Sequence, residues 1–260
     1  MTKERIQKIL SRAGLASRRE IEQMIIKRRI KVNNRIVSEL GFALDPVCDI
    51  VFLDEKPVLL ELDEKPEMVY YLLNKPSGFI STTKDEYKRP CVLDLIKIRK
   101  STRIYPVGRL DYDAEGALLL TNDGQLTNKL LHPKNYIKKT YMVKVKGSPL
   151  EIDLDKLRRG IFLKNKATGP SKITVKGKAK INTWLQIILT KGQKNQIKEM
   201  FWRIKHPVAK IVRIDFAGIS IDKLPVGKYR SLSRIELINL KKHANFKLIT
   251  NKKYKNCEIA

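Results

Sequence analysis

Apolar residues near the start of the chain recur at helical spacing and predict two short helices. The run over residues 6–13 places its apolar side chains on one face, and Gly14 ends it. Ser17 and Glu20 then follow the Ser-x-x-Glu pattern of a capping box, which starts a second helix with an apolar face over residues 21–25. The sequence therefore predicts a helical pair at the N-terminus.

The chain then changes to patterns that are typical of strands. Residues 30–37 form two β-type runs around Asn33 and Asn34, which predicts a hairpin. Two or three helices lie among the later strands without regular βαβ alternation, so we expect an α+β fold. Apolar runs between turn residues predict those strands at 69–73, 117–120, 140–146, 173–175, 184–189, 208–214 and 235–240.

A polar, proline-containing segment at residues 61–67 predicts a linker between two domains. We expect a small N-terminal domain at residues 1–62 and a larger domain at 66–240, which suits a chain of 260 residues. Residues 241–260 hold six lysines and one glutamate, and they predict a basic C-terminal tail.

The charge balance indicates a polyanionic partner. Lysine and arginine total 54 against 27 acidic residues, a net charge of +27, and no apolar run is long enough to span a membrane. Nucleic acid is the expected partner, with a solvated basic surface as the alternative. Residues 1–35 hold eleven Lys/Arg and three Glu, whereas residues 36–65 hold two Lys and eight acids. This separation favours a basic nucleic-acid-binding face at the N-terminus.

Arg18 and Arg19 are candidate contacts on that face. They occupy the first turn of the second predicted helix, where the helix dipole disfavours cations. A phosphate partner accounts for their placement better than helix stability does, although both could simply point into water. The three cysteines and three histidines are scattered without a disulfide or metal pattern, so we expect no bound metal and a reducing, cytoplasmic setting.

Three acidic residues, Asp111, Asp113 and Glu115, alternate just before an apolar strand. Their spacing matches the start of a calcium loop, but the twelfth position is Asn122 instead of a bidentate glutamate. Closely spaced carboxylates can also hold Mg²⁺, which leaves a metal-dependent nuclease as one alternative.

A long gapless block around these acids resembles the signature of the RsuA/RluB-type pseudouridine synthases. It consists of Gly108–Asp111, then Glu115-Gly116, then residues 118–124. The resemblance implies that Asp111 is the catalytic aspartate and that Arg109 contacts the RNA around a nucleotide turned out of its helix. No role is implied for Asp113.

Three further blocks agree with this family. Residues 74–78 resemble its Asn-Lys-Pro-x-Gly entry, and 139–143 resemble its Lys-x-Tyr-x-Val strand, which implies that Tyr141 packs on the target base. Residues 192–200 resemble a helix whose arginine pairs with the catalytic aspartate in the family. Lys198 stands at that position and keeps the charge without the planar geometry of arginine. The resemblance thus implies an Asp111–Lys198 ion pair.

The N-terminal pattern of two helices and a hairpin resembles the S4 RNA-binding domain over about residues 3–60, with Asn34 in place of the usual glycine. Together these resemblances imply a mixed, mostly antiparallel sheet flanked by helices in the larger domain, and isomerisation of a ribosomal RNA uridine to pseudouridine. The sequence resembles most the family members that modify RNA of the large ribosomal subunit. The resemblances also imply that the protein is a monomer and needs no cofactor. A non-enzymatic RNA-binding assembly factor is the other alternative.

Overall fold

The computed structural model describes residues 3–60, 67–97, 103–163, 166–179 and 181–244. The chain divides into an N-terminal unit, residues 1–67 with 99–103, and a C-terminal unit, residues 68–98 with 104–260. Residues 61–66 of the predicted linker at 61–67 and residues 245–260 of the predicted tail at 241–260 lie outside the described residues. Residues 241–243 of that predicted tail belong instead to the helix Arg234–His243. No helix in the described ranges is long and apolar enough to cross a membrane.

The N-terminal unit packs two helices on short strands. The capping box predicted from Ser17 and Glu20 is confirmed, since each residue's side chain accepts from the other's backbone N–H. The hairpin turns at Asn33 and Asn34, with φ of 47° and 64°, and asparagine tolerates this left-handed conformation. The elements are β1 (Glu4–Arg5), α1 (Ile6–Arg12), α2 (Arg18–Ile26), β2 (Ile30–Val32), β3 (Arg35–Ile36), β4 (Ala43–Leu44), β5 (Val51–Leu53) and β6 (Lys56–Val58).

The C-terminal unit is built on a large mixed sheet. Its strands are β7 (Tyr70–Lys75), β8 (Tyr105–Pro106), β9 (Glu115–Thr121), β10 (Lys139–Lys146), β11 (Phe162–Leu163), β12 (Lys166–Ala167), β13 (Lys172–Ala179), β14 (Asn182–Leu189), β15 (Val208–Phe216), β16 (Ile219–Ser220) and β17 (Tyr229–Ser231). Its helices are α3 (Gly124–Leu131), α4 (Glu151–Arg159), α5 (Gln196–Arg203) and α6 (Arg234–His243), with 3₁₀ turns at Val92–Leu95 and Pro133–Asn135.

Within the described residues the main sheet runs in the order β13-β14-β10-β15-β9-β7-β17, with β8 and β16 as additional partners. Its pairs are antiparallel except for β15 and β9, which run parallel. Gly116 lies at this parallel contact with φ of 110°, and a Cβ there would clash with the backbone of Arg213. The glycine after Glu115 is therefore required by the close approach of two strands.

Helices cover both faces of this sheet, so the interior strand β9 is buried on both sides. Along β9, Leu118 and Leu120 enter one apolar core with α4 and α5, whereas Leu119 enters a second core with α3 and α6. A strand with both faces buried reads as a continuous apolar run, which is the pattern of residues 117–120. The predicted α+β class, with a mixed, mostly antiparallel sheet flanked by helices, is confirmed.

One predicted strand is wrong. Residues 235–240 belong to helix α6, which begins at a capping box formed by Ser233 and Glu236. Leu237 and Leu240 share the helical face that packs into the second core. The apolar run is short enough to fit either a strand or a helix, and the Ser-x-x-Glu capping pattern before it indicates a helix.

Candidate active site

A cavity of about 650 Å³ opens on the C-terminal unit. Its walls come from the loop before β9, the end of α3, strands β10 and β15, and the segment from the end of β14 into α5. Four residues singled out by the sequence line it: Arg109, Asp111, Tyr141 and Lys198. The structure thus brings together residues that are separated by almost ninety positions in the chain.

The loop that carries Asp111 is held from beneath by a buried lysine. Lys75 is 0% exposed, and it enters this position from the end of β7. The Lys75 ammonium has three N–H donors, and it is surrounded by backbone carbonyls of the loop and of Pro76, the residue that follows Lys75. The acceptors of its Nζ are the backbone oxygens of Ala114 (2.8 Å), Pro76 (3.0 Å), Asp111 (3.2 Å) and Tyr112 (3.4 Å).

Burial lowers the pKa of Lys75 to about 8, against the opposing effect of the carboxylates of Asp113, Asp111 and Glu115. The lysine therefore remains mostly protonated at neutral pH. Its charge lies next to the loop backbone, so it fixes the loop by hydrogen bonds and also adds a positive field below Asp111.

A second set of bonds fixes the loop from the other side. The Ser81 hydroxyl donates to the Leu110 carbonyl at 2.9 Å and accepts from the Leu110 N–H at 3.1 Å. The Gly78 N–H donates to the Tyr112 carbonyl at 2.8 Å. The backbone is therefore bonded on both sides of Asp111, whose half-buried carboxylate lines the cavity.

The expected ion pair between Lys198 and Asp111 is not the one in the structure. The Nζ of Lys198 lies 2.6 and 2.7 Å from the two carboxylate oxygens of Asp113. Asp113 is two residues further along the same loop and more exposed than Lys198, with side-chain exposures of 60% and 32%. The sequence resemblance gave Asp113 no role, so this partner was missed.

The start of α5 places Lys198 at the cavity. Asn195 adopts a left-handed conformation with φ of 56°, which turns the chain into the helix. Gln196 is buried, and its side-chain oxygen accepts from the Gln193 N–H at 2.9 Å. The Gln193 side chain in turn donates to the Ala167 carbonyl at 2.8 Å. These bonds anchor the loop before α5 and fix the position from which Lys198 projects.

Tyr141 lies on the sheet wall of the cavity. It is half-buried on β10, opposite Ile187 of β14 and Arg213 of β15. Apolar side chains of Leu189, Ile197 and Ile211 line the same cavity. An aromatic ring beside such a wall offers a flat apolar surface for a planar ring.

Two further cations on this wall were missed by reasoning from the sequence. Lys139 and Arg213 both line the cavity, and Arg213 is only 2% exposed. The sequence marked neither of them out, because each strand holds other charged residues, such as Lys144 in β10 and Lys210 in β15. Lys139 belongs to the recognised block 139–143, from which a role was drawn for Tyr141 alone.

Exposed cations border the cavity mouth. Arg109 stands on the loop before Asp111, where it is exposed. The others are Lys166 in β12, and Lys191 and Lys194 in the segment between β14 and α5. Arg18 and Arg19 belong to the N-terminal unit and are exposed in the first turn of α2.

The three alternating acids do not converge. Asp113 pairs with Lys198, and Glu115 pairs with Lys210 at 2.9 Å. Carboxylates that bind one divalent cation must direct their oxygens to a common point. Over the described ranges, no group of three or more His, Cys, Asp and Glu side chains is placed to hold a metal ion.

Comparisons with known proteins agree with this geometry. Residues 69–202 match the family model of RNA pseudouridylate synthase, and residues 4–51 match the S4 domain. The chain is 41% identical over 240 residues to the ribosomal large subunit pseudouridine synthase B of Bacillus subtilis, covering 92% of this chain and 96% of that protein. It is 37% identical to an RNA pseudouridine synthase of Aquifex aeolicus, covering 97% of this chain and 100% of that protein. A crystal structure of a pseudouridylate synthase superposes with a TM-score of 0.63 at 25% identity, covering 91% of this chain and 99% of the other.

Proposed function

The chain belongs to the RNA pseudouridylate synthase family and is an isomerase, and from this premise we propose that its substrate is a specific uridine of large-subunit ribosomal RNA. Support for the substrate comes from the Bacillus subtilis relative, whose name gives the large ribosomal subunit and which aligns with 92% of this chain. The N-terminal S4 domain and the net charge of +27 suit a structured polyanion. With a ribosomal RNA substrate, we also propose that the reaction takes place in the cytoplasm.

The observation that carries the proposed mechanism is that Asp111 and Tyr141 line the same cavity. Isomerisation breaks the bond between N1 of uracil and C1′ of the ribose, rotates the base, and joins C5 to C1′. A uridine stacked in a helix hides this bond, so the nucleotide must be turned out of its helix. The cavity of about 650 Å³ is large enough to take a base with its ribose.

Asp111 acts at the sugar in this proposal, either as a nucleophile on C1′ or as the base that removes a sugar proton. Both routes need an ionised carboxylate whose loop does not move, and the bonds from Lys75 and Ser81 supply that rigidity. Tyr141 packs on the uracil, and Lys198 supplies a positive charge near the reacting carboxylate. Its partner in the free protein is Asp113, so we propose that Lys198 is shared between these two aspartates.

Recognition of the RNA around the target falls to the exposed cations. Arg109, Lys191 and Lys194 stand at the mouth of the cavity, where a phosphate backbone would pass. Arg18 and Arg19 add contacts through the S4 domain, with the N–H groups at the start of α2 beside them. Phosphate contacts of this kind position the RNA, and the cavity selects the base.

The test is a map of pseudouridines in ribosomal RNA from cells with and without the gene, combined with tritium release from 5-[³H]uridine RNA by the purified protein. Tritium leaves because C5 loses its hydrogen when it becomes the attachment point. We expect one large-subunit position to lose its pseudouridine in the deletion strain. Loss at a small-subunit or transfer RNA position would overturn the substrate. RNA binding without any tritium release would favour the assembly factor instead.

A further inference from the structure

The sheet wall of the cavity contains two cations, Arg213 and Lys139, that have no role in the proposed mechanism. Arg213 is 98% buried, since only 2% of it is exposed, and its Nε donates to the Ala117 carbonyl at 2.7 Å. Its buried Nη2 has no hydrogen-bond partner among the described residues. Such a group costs free energy when it is desolvated without an acceptor.

Lys139 is the second of these cations. Its Nζ donates to the backbone carbonyls of Ile137 at 3.2 Å and Thr190 at 3.3 Å. An ammonium has three N–H donors, so these bonds leave one for another acceptor. Both cations also lie over the buried ring of Phe216, with Lys139 Nζ at 5.9 Å and Arg213 Cζ at 4.9 Å from its centroid. The aromatic ring helps to hold two like charges in one place.

A β-bulge turns these side chains towards the cavity. Along β10, Lys139 pairs with Phe216 of β15, whereas Tyr141 pairs with Arg213. A step of two residues along β10 therefore corresponds to a step of three along β15, which means that β15 has one extra residue at this point. As a result Phe216 and Arg213 both line the cavity with Lys139 and Tyr141. Arg213 lies directly across from the ring on which the base is proposed to pack, and Lys139 lies two residues before it on β10.

The charges around this pair are unbalanced. Neither Lys139 nor Arg213 has a carboxylate within salt-bridge distance among the described residues. The other charged side chains that line the cavity are Arg109, Asp111, Lys166, Lys191, Lys194 and Lys198, of which Lys198 is paired with Asp113. Buried Lys75 is a further cation close enough to Arg213 for Arg213 to lower the pKa of Lys75. Burial lowers the pKa of Lys139 to about 8, and Arg213 lowers it further as the second cause. The wall is therefore built to receive negative charge that the free protein does not supply.

We propose that Lys139 and Arg213 form an anion hole for the uracil ring at the moment its bond to the ribose breaks. This proposal rests on the proposed function. When the N1–C1′ bond breaks, both electrons stay on N1 and spread to the carbonyl oxygens O2 and O4. Donors from Lys139 and Arg213 bind these oxygens while they carry the charge. The electrons then form the C5–C1′ bond as the bond between Asp111 and C1′ breaks or, in the other route, as the proton that Asp111 removed returns to the sugar. C5 releases its hydrogen as a proton and N1 takes up a proton, so charge and atoms balance.

This assignment differs from a phosphate-binding role, in which the same cations would bind the RNA backbone. A phosphate site contributes to affinity before the reaction starts, whereas an anion hole acts only once charge develops on the base. The two roles are therefore separated by comparing RNA affinity with the rate of a single turnover at saturating enzyme.

The experiment uses Lys139→Gln and Lys139→Arg in the full chain. Glutamine keeps an N–H donor for the carbonyls of Ile137 and Thr190 and removes the charge. We expect its single-turnover tritium release to fall about 100-fold, the usual effect of one oxyanion donor, with RNA affinity changed less than about threefold. Lys138→Gln is the matched control, because Lys138 is the exposed neighbour and loses the same charge. Its rate should equal that of the parent.

The pH profile provides a readout that a structural role would not change. Lys139 must be protonated to act, so the parent rate should fall as pH rises above about 8. Lys139→Arg stays charged, so its rate should fall less than the parent's at higher pH. Buried Lys75 also has a pKa of about 8, and an unchanged alkaline fall in Lys139→Arg would assign the fall to another group and overturn the proposal.

Two other results would also overturn it. One is a Lys139→Gln variant that turns over as fast as the parent, and the other is a variant whose loss lies in affinity, which indicates a phosphate site. These outcomes are distinct from a failure of the proposed function, in which the parent protein itself would release no tritium. The circular dichroism and thermal midpoint of each variant confirm that the fold is retained.

Discussion

The two units of this chain carry positive charge in opposite ways. In the N-terminal unit the notable cations are exposed, as Arg18 and Arg19 are in the first turn of α2. The C-terminal unit instead buries Lys75 and Arg213 and lowers the pKa of Lys139 and Lys75 to about 8 by desolvation. An exposed cation costs little and is screened by salt. Burying a cation costs free energy of desolvation, so we expect buried cations where their charge or their hydrogen bonds act on specific groups.

This difference predicts which quantity each region controls. Exposed cations should change RNA affinity and its dependence on salt, and leave the rate of bound RNA unchanged. Buried groups around the cavity should change the rate and leave affinity nearly unchanged. Each prediction below tests one side of this division, beginning with the largest expected effect.

Asp111→Asn should abolish pseudouridine formation. The substitution is nearly isosteric, so fold and RNA affinity should stay close to those of the parent, while the negative charge that attacks or accepts a proton is lost. We expect no tritium release even in single-turnover assays at high enzyme concentration. Asp113→Asn is the control, and it should retain activity because it only frees Lys198 from its partner.

Equal loss in both aspartate variants would point to a shared acidic or metal site. A rate near the parent's in Asp111→Asn would remove the central assignment. Addition of a chelator to the parent protein distinguishes the isomerase from a metal-dependent nuclease. The nuclease would lose its activity, whereas the isomerase would keep it.

Lys75→Met should lower both stability and rate. It removes the donor that satisfies the carbonyls of Asp111 and Ala114, so buried acceptors lose their partner. We expect a loss of about 3 kcal/mol in the free energy of unfolding by urea, and a rate reduced about 100-fold because the loop is no longer fixed. Lys84→Met, at an exposed position, should change neither quantity. A stable, fully active Lys75→Met would show that the loop holds its geometry without this lysine.

Much of this site could be predicted from the sequence, and the parts that could not share a physical cause. The blocks around Asp111, Tyr141 and Lys198 were local patterns, and the comparisons confirm the family that they indicated. The partner of Lys198 depends on how a loop and a helix eighty-five residues apart meet, which no local pattern contains. Residues 235–240 were predicted as a strand because the capping signal at Ser233 was overlooked.

The buried cations show the same limit. Lys75 was part of a recognised motif, yet three of its four acceptors belong to a loop thirty-six to thirty-nine residues away. Arg213 faces the cavity because of a bulge in the pairing of β10 and β15, and a one-residue shift in register cannot be read from either strand alone. Local sequence thus predicted the elements and the family, while the electrostatics of the cavity required the tertiary structure.

Lys198→Met should have a smaller effect than the loss of Asp111. It removes one partly exposed cation near the reacting carboxylate and leaves Asp113 without its partner. We expect the single-turnover rate to fall about tenfold to 100-fold, while Lys198→Arg keeps most of the activity because it retains the charge. Lys194→Met, from the exposed loop before α5, is the matched control and should affect affinity alone. Unchanged turnover in Lys198→Met would confine this lysine to a structural pair with Asp113.

The smallest effect on rate is expected in the N-terminal unit. Arg18→Ala with Arg19→Ala should weaken RNA binding, because two cations no longer neutralise phosphates. The slope of log affinity against log salt should decrease by about 1.4 to 1.8, which is the value for two lost phosphate contacts. At saturating RNA the single-turnover rate should equal the parent's, since none of the atoms around Asp111 has changed.

The double variant Arg18→Lys with Arg19→Lys separates charge from geometry. It keeps both charges, so the salt slope should match the parent's, while affinity falls slightly if the planar guanidinium binds a phosphate through two donors. The measurement is equilibrium binding of a ribosomal RNA fragment at several salt concentrations. If Arg18→Ala with Arg19→Ala leaves the slope unchanged, both arginines point into water and the RNA contacts of this unit lie elsewhere. If it lowers the saturated rate instead, the exposed cations take part in the chemical step, and the division between the two units is wrong.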